Sequence, residues 1–253
     1  MSKGTLHTFG DSFSESVREM IADNIDCGRT EYSKGFLNQP EGYSIWSEIL
    51  ANLIGFNHEC HASTSGKVFD TLGNGNSNHY ILYNLNEQCH KFEKGDIVIV
   101  GFTSIMRFPW PHDAGVLHAL PNMRMGEEVL DSDKQVIQIT TVHRDREFYY
   151  KELFQQMKVF EDLSKRVGFH IFYWSWETKV TQLGVKLHKP SKWIFHKLFP
   201  QYGTQYFRIL DQKGGNTITT ETNGEYEDAH MGITGNKVQA ELFEKFLREN
   251  SYI

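Results

Sequence analysis

The chain is short of proline, with 6 in 253 residues, and has only 3 cysteines, Cys27, Cys60 and Cys89. Three is an odd number, their spacings are wide and no CxxC pair occurs, so neither a disulfide framework nor a thiolate metal finger is in view. They read as buried or neutral thiols of a protein in a reducing compartment. Long uncharged apolar runs are also missing, in keeping with a mean hydropathy of −0.48, and that excludes a membrane-spanning helix. The opening residues show no basic, apolar and cleavage-site succession of a signal peptide, so the expected location is cytoplasmic or virion-associated, with no membrane partner. An excess of basic charge is absent as well. Lys and Arg number 26 against 32 Asp and Glu, a net charge of −6, which fits poorly with a nucleic-acid backbone as partner. No repeat, low-complexity tract or Pro/Ser-rich linker divides the chain. What is present is apolar material, 39% hydrophobic and 13% aromatic residues, enough to exclude disorder and to fill one sizeable core. A single domain over 1–253 is expected.

The order of elements gives the fold class. Thr5 to Phe9 reads as a strand ending in the turn Gly10-Asp11-Ser12. Residues from about Ser44 to Ile54 place Ile45, Trp46, Ile49, Leu50 and Leu53 on one helical face, with Gly55 as the stop. A short strand follows near Asn57 to Ala62, and the loop Gly73-Asn74-Gly75-Asn76-Ser77-Asn78 opens a helix carrying Ile81, Leu82 and Leu85. Asp96 to Gly101 is an almost unbroken β-branched run, the pattern of a strand buried on both faces. The spacing of Tyr150, Leu153, Phe154, Met157, Phe160 and Leu163 predicts a helix over Arg146 to Val167, stopped by Gly168. Phe169 to Trp174 follows as a strand, and a last helix runs from about Gly235 to Asn250 through Val238, Leu242 and Phe246. Strands alternating with helices make an α/β fold with a mostly parallel sheet. Three polar segments, about 15–40, 105–145 and 177–225, stand outside this unit as insertions on one rim.

Within the second strand, His58, Glu59, Cys60 and His61 are consecutive. Neighbours on a strand point to opposite faces, so only alternate members could share a metal. With no second ligand cluster at finger-like spacing, the four read as a strand edge, and no metal or other cofactor is expected.

The chemistry lies at the ends of strands. Gly10-Asp11-Ser12 puts a serine just past the first strand, where backbone N–H groups are free to stabilise negative charge. Near the other end, Asp228-Ala229-His230 precedes the last helix, and an acid close to a histidine can orient its ring and stabilise its protonated form. Each feature alone is common. Together with the Gly/Asn loop after the second strand and the polar residues after Gly101, they form an ordered set at one sheet edge.

That set resembles the SGNH (GDSL-type) hydrolase superfamily, closest to phage and bacterial esterase-like members, over most of the chain. The resemblance implies a flavodoxin-like three-layer α/β/α sandwich with Ser12 as nucleophile. Gly75-Asn76-Ser77-Asn78 is similar to the second block, whose glycine N–H helps form the oxyanion hole, and Gly101-Phe102-Thr103-Ser104, with Arg107 beyond, is similar to the third. Asp228-Ala229-His230 resembles the block that supplies acid and base. Trp46 is similar to a tryptophan found after the first block. The implied triad is Ser12, His230 and Asp228, with Glu227 as the alternative acid; the implied oxyanion hole is Ser12, Gly75 and Thr103. Two departures stand out. Thr103 occupies the place of the family's oxyanion-hole asparagine, and the usual acid position, three before the histidine, is held by Glu227, while Asp228 is two before. Asp11 reads as a turn-fixing residue and Ser14 as a helix cap.

The expected substrate is a small acyl ester, such as an O-acetyl group on a glycan. Asn78, Ser104, Arg107 and Trp193 are the candidate substrate-binding residues. Trp193 belongs to an aromatic and basic stretch with Phe195, His196, Phe199, Tyr202, Tyr206 and Phe207. Those rings suit a sugar platform or an acyl lid, or packing within the domain or across the interface of a homo-oligomer, and aromatics supply core area first. Two other classes share these residues: an O-acyltransferase on the same triad, and a non-catalytic phage structural or binding protein that retains the fold.

Overall fold

The computed structural model describes residues 4–10, 14, 44–62, 77–103, 108–112, 115–119, 146–176, 178–188, 190–194 and 233–253. In chain order the elements are β1 (Thr5–Phe9), α1 (Trp46–Ile54), β2 (Asn57–Cys60), α2 (Asn78–Gln88), β3 (Ile97–Phe102), β4 (Phe108–His112), β5 (Gly115–Ala119), α3 (Arg146–Val167), β6 (His170–Ser175), α4 (Thr178–Leu187) and α5 (Ile233–Glu249).

Four strands form one parallel sheet in the order β2-β1-β3-β6. Every residue of β3 is buried, as its β-branched run requires of a central strand covered on both faces. Alternate side chains divide between two cores. Leu6, Ile97, Ile99, Phe172 and Trp174 face α1 and α5, where Trp46 meets Trp174 and Phe243 edge to face at 5.6 and 4.6 Å between centroids. Phe9, Val98, Val100, Phe102, Ile171 and Tyr173 face α2, α3 and α4. The result is an α/β sandwich with helices on both faces of a parallel sheet.

Local chemistry sets the boundaries. Helix α1 ends at Gly55, whose φ of 72° is left-handed, a backbone state glycine reaches without a Cβ penalty. At its start, Glu48 accepts the Ile45 N–H at 3.2 Å, and Asn236 of α5 accepts the Trp46 N–H at 2.9 Å, which ties the two helices of that layer together. Ser77 caps α2, its Oγ accepting the Tyr80 N–H at 3.3 Å. One expected core residue is not in the core: Leu53 is 41% exposed, because the buried stripe of α1 runs through Trp46, Leu50 and Ala51.

The segment from 177 does not start as a rim insertion. Val180 on α4 and Trp193 and Ile194 beyond it are buried, and Ile194 donates to Tyr173 O at 3.0 Å alongside β6. The α/β layer therefore runs on through residue 194. The 105–145 segment contains the antiparallel hairpin β4–β5. Pro109 and Pro111 are admissible there because a two-stranded hairpin has an outer edge whose N–H groups need no partner strand.

Candidate active site

The chain leaves β1 and builds β2 on one side, then β3 on the other. In open parallel sheets, ligands bind beyond the carboxyl ends of the strands at such a reversal, here the ends of β1 and β3. Gly10 is the first residue past β1 and Thr103 the first past β3.

Ser14 lies across the two strand ends. It is fully buried, and its carbonyl accepts a hydrogen bond from Cys60 Sγ at 3.3 Å. The close approach depends on two glycines. A Cβ on Gly10 would stand 2.7 Å from Ser14 Cβ, and one on Gly101 would stand 2.9 Å from Ser14 Oγ and 2.7 Å from Trp174 Nε1. Ser14 thus packs against the ends of β1 and β3. Its expected role as a helix cap concerns residues outside the described ones. Gly101→Ala must push Ser14 or Trp174 out of place, and overpacking of this kind costs about 1–3 kcal/mol. Denaturant unfolding is expected to show a lowered midpoint.

Thr103 is held by its backbone. Its N–H donates to Asn78 Oδ1 at 2.8 Å and its carbonyl accepts from Asn78 Nδ2 at 3.0 Å, so both amide atoms of Asn78 are engaged by one residue. Asn78 and Thr103 are both fully buried. Asn78, at the start of α2, thus braces the Thr103 backbone. The hydroxyl Oγ1 of Thr103 is buried and has no hydrogen-bond partner among the described residues. Ser14 Oγ, at the same strand ends, is likewise buried without a partner among the described residues.

Trp193 is fully buried too. It sits beside Tyr173 and Phe102, at 5.9 and 6.2 Å between centroids, and closes over Gly184 of α4. Packing, not substrate stacking, accounts for it. Ser12, Gly75, Ser104, Arg107, Glu227, Asp228 and His230 lie outside the described residues. Sequence reasoning missed the Asn78–Thr103 brace; the available signal was an asparagine at the first turn of a helix following a glycine-rich loop.

A second polar group lies lower on β1 and β2. His7, Glu59 and His61 bring three metal-ligating side chains together on one face of the sheet. His58 points to the other face, where its Nε2 meets Thr8 Oγ1 at 3.1 Å. Burial, with His7 nearby, lowers the His58 pKa to about 4, so that ring is neutral.

No family model, curated protein or solved structure matches the chain. No helix among the described residues is long and apolar enough to cross a membrane.

Proposed function

We infer that the chain is a serine esterase of the SGNH type that cleaves a small acyl ester, such as an O-acetyl group on a glycan. The observation that carries this reading is Thr103: a buried hydroxyl without a partner among the described residues, braced through its backbone at the carboxyl end of a central strand. A donor that must meet charge only in the transition state is expected to be rigid, dry and unengaged in the resting protein. The sheet order β2-β1-β3-β6 supports the same reading, since flavodoxin-like sheets have this order and bind ligands at its reversal.

The chemistry follows from the residue types. His230 takes the Ser12 hydroxyl proton as Oγ attacks the ester carbonyl, and Asp228 or Glu227 holds the imidazole tautomer. The oxyanion is met by the N–H groups of Ser12 and Gly75 and by the Thr103 hydroxyl, which takes the place of a side-chain amide. His230 then protonates the leaving alcohol. Water, deprotonated by the same ring, releases the acid and restores the serine.

Thr103→Val keeps the shape and the backbone brace and removes only the hydroxyl. Loss of one oxyanion donor lowers kcat by about 100- to 1,000-fold. Initial-rate kinetics are expected to show that fall with KM nearly unchanged, and with stability equal to or above wild type because a buried polar group has gone.

The direct test is p-nitrophenyl acetate hydrolysis by the full chain, with and without a chelator. Multiple turnovers in both conditions support the serine mechanism. No turnover in either, or turnover that a chelator stops while the fold persists, contradicts it.

A further inference from the structure

We propose that His7, Glu59 and His61 form a binding site for one zinc-class divalent metal ion, which fastens β2 to β1. The three donor atoms are His7 Nδ1, His61 Nε2 and Glu59 Oε2. They lie 3.2 Å apart for the two nitrogens, 3.5 Å for His7 and Glu59, and 3.6 Å for His61 and Glu59. Ligands about 2.0–2.2 Å from a tetrahedral ion are separated by about 3.3–3.6 Å, so the donor separations match one face of such a coordination sphere once the two rings tilt their lone pairs from each other toward the ion. Two histidines and a carboxylate, with the fourth position left to water, are a donor set that zinc accepts.

The scaffold fixes each donor. Glu59 is the register partner of His7, which places the two side by side on neighbouring strands, and His61 follows two residues on, pointing to the same face. The His61 backbone is anchored on both sides: its N–H donates to Thr8 O at 2.7 Å, and its carbonyl accepts from Asn84 Nδ2 at 2.5 Å. Behind His7, Asp96 Oδ2 stands 3.4 Å from Nε2. A carboxylate behind the non-ligating nitrogen fixes the tautomer that turns the other lone pair toward a metal. Asp96 is itself held, accepting the Thr5 and Glu93 N–H groups at 2.8 Å each. Phe9 stacks on His61 at 4.6 Å and Phe92 lies 4.8 Å from His7, so ring orientation is packed on the inner side.

Without metal, His7 Nδ1 and His61 Nε2 meet at 3.2 Å, the ring centroids 5.5 Å and the planes 13° apart, as an N–H donor and a ring-nitrogen acceptor do. Binding moves the His61 proton to its other nitrogen and gives both lone pairs to the ion. The rings are suited to this, because burial holds His7 below its usual pKa and His61 at about 3, leaving both neutral. The Lys91 charge opposes a cation nearby, while Glu59 and Asp96 favour one. Glu59 is the entry: its side chain is 48% exposed, against 3% for His7 and 11% for His61.

The test is isothermal titration of zinc chloride into the chelator-treated full chain, repeated with cobalt(II) for its visible spectrum. Wild type is expected to take up one equivalent and to give the strong d–d bands of a four-coordinate site. Glu59→Gln and His61→Gln are each expected to weaken the dissociation constant by at least tenfold and to remove those bands. His58→Gln, on the opposite face, is expected to change neither. Glu59 is half-exposed, so its variant keeps the fold even where one at buried His7 would not. Ser12→Ala is expected to bind zinc like wild type, which separates this site from the ester chemistry. A wild type that takes up no zinc, or zinc binding that survives both ligand substitutions, overturns the proposal.

Discussion

Ser12→Ala is expected to lower ester turnover by about 10,000- to 1,000,000-fold, to the level left by binding and oxyanion contacts alone. A general base has nothing to activate once the hydroxyl is gone, so the loss falls on kcat. The His230→Ala variant is expected to lose a similar amount, and the double variant little more, because nucleophile and base act as one unit. Initial rates on p-nitrophenyl acetate, with unfolding midpoints measured beside them, check this. Near-additive losses, or a Ser12→Ala protein with more than about a hundredth of wild-type activity, contradict the assignment.

Asn78→Ala has the second-largest expected effect, and it falls on stability and rate together. The substitution strands the Thr103 N–H and carbonyl in a fully buried place, since Asn78 partners both. Each unsatisfied buried group costs about 1–3 kcal/mol, so a total of about 2–6 kcal/mol is expected from denaturant unfolding. Thr103, the proposed oxyanion donor, loses its brace at the same time, and kcat is expected to fall by about a hundredfold in the protein that remains folded. Thr103→Val separates the two effects, because it loses rate while keeping the brace. A substrate-binding Asn78 would behave differently: KM would rise, and stability would hold.

Much of the fold is legible from side-chain spacing. The buried run of β3 follows from the consecutive Ile97, Val98, Ile99 and Val100, and the ends of α1 and α3 from Gly55 and Gly168, both with left-handed φ. Short periodic segments are harder. Helix α4 is only 10 residues long, and the tryptophan that covers it, Trp193, lies beyond the helix. Hairpin β4–β5 is hidden by its prolines. The site is legible only as far as it is local. Gly10 and Thr103 are found at the ends of their strands, as the sequence order implies. The Asn78 brace joins residues 25 apart, and the His7 contact with His61 joins residues 54 apart. Alternation along β2 put Glu59 and His61 on one face, yet the third donor comes from the neighbouring strand through the β1–β2 register.

The most direct test of the account is mass spectrometry of the intact chain, and of its peptides, after treatment with a fluorophosphonate probe. Such probes react with serines activated by a base and an oxyanion hole, and only weakly with ordinary ones. The account predicts a single adduct, mapped to Ser12 and lost in both Ser12→Ala and His230→Ala. An unlabelled wild type, or an adduct that stays when His230 is replaced, would mean that Ser12 is not activated and that the strand ends serve something other than acyl transfer.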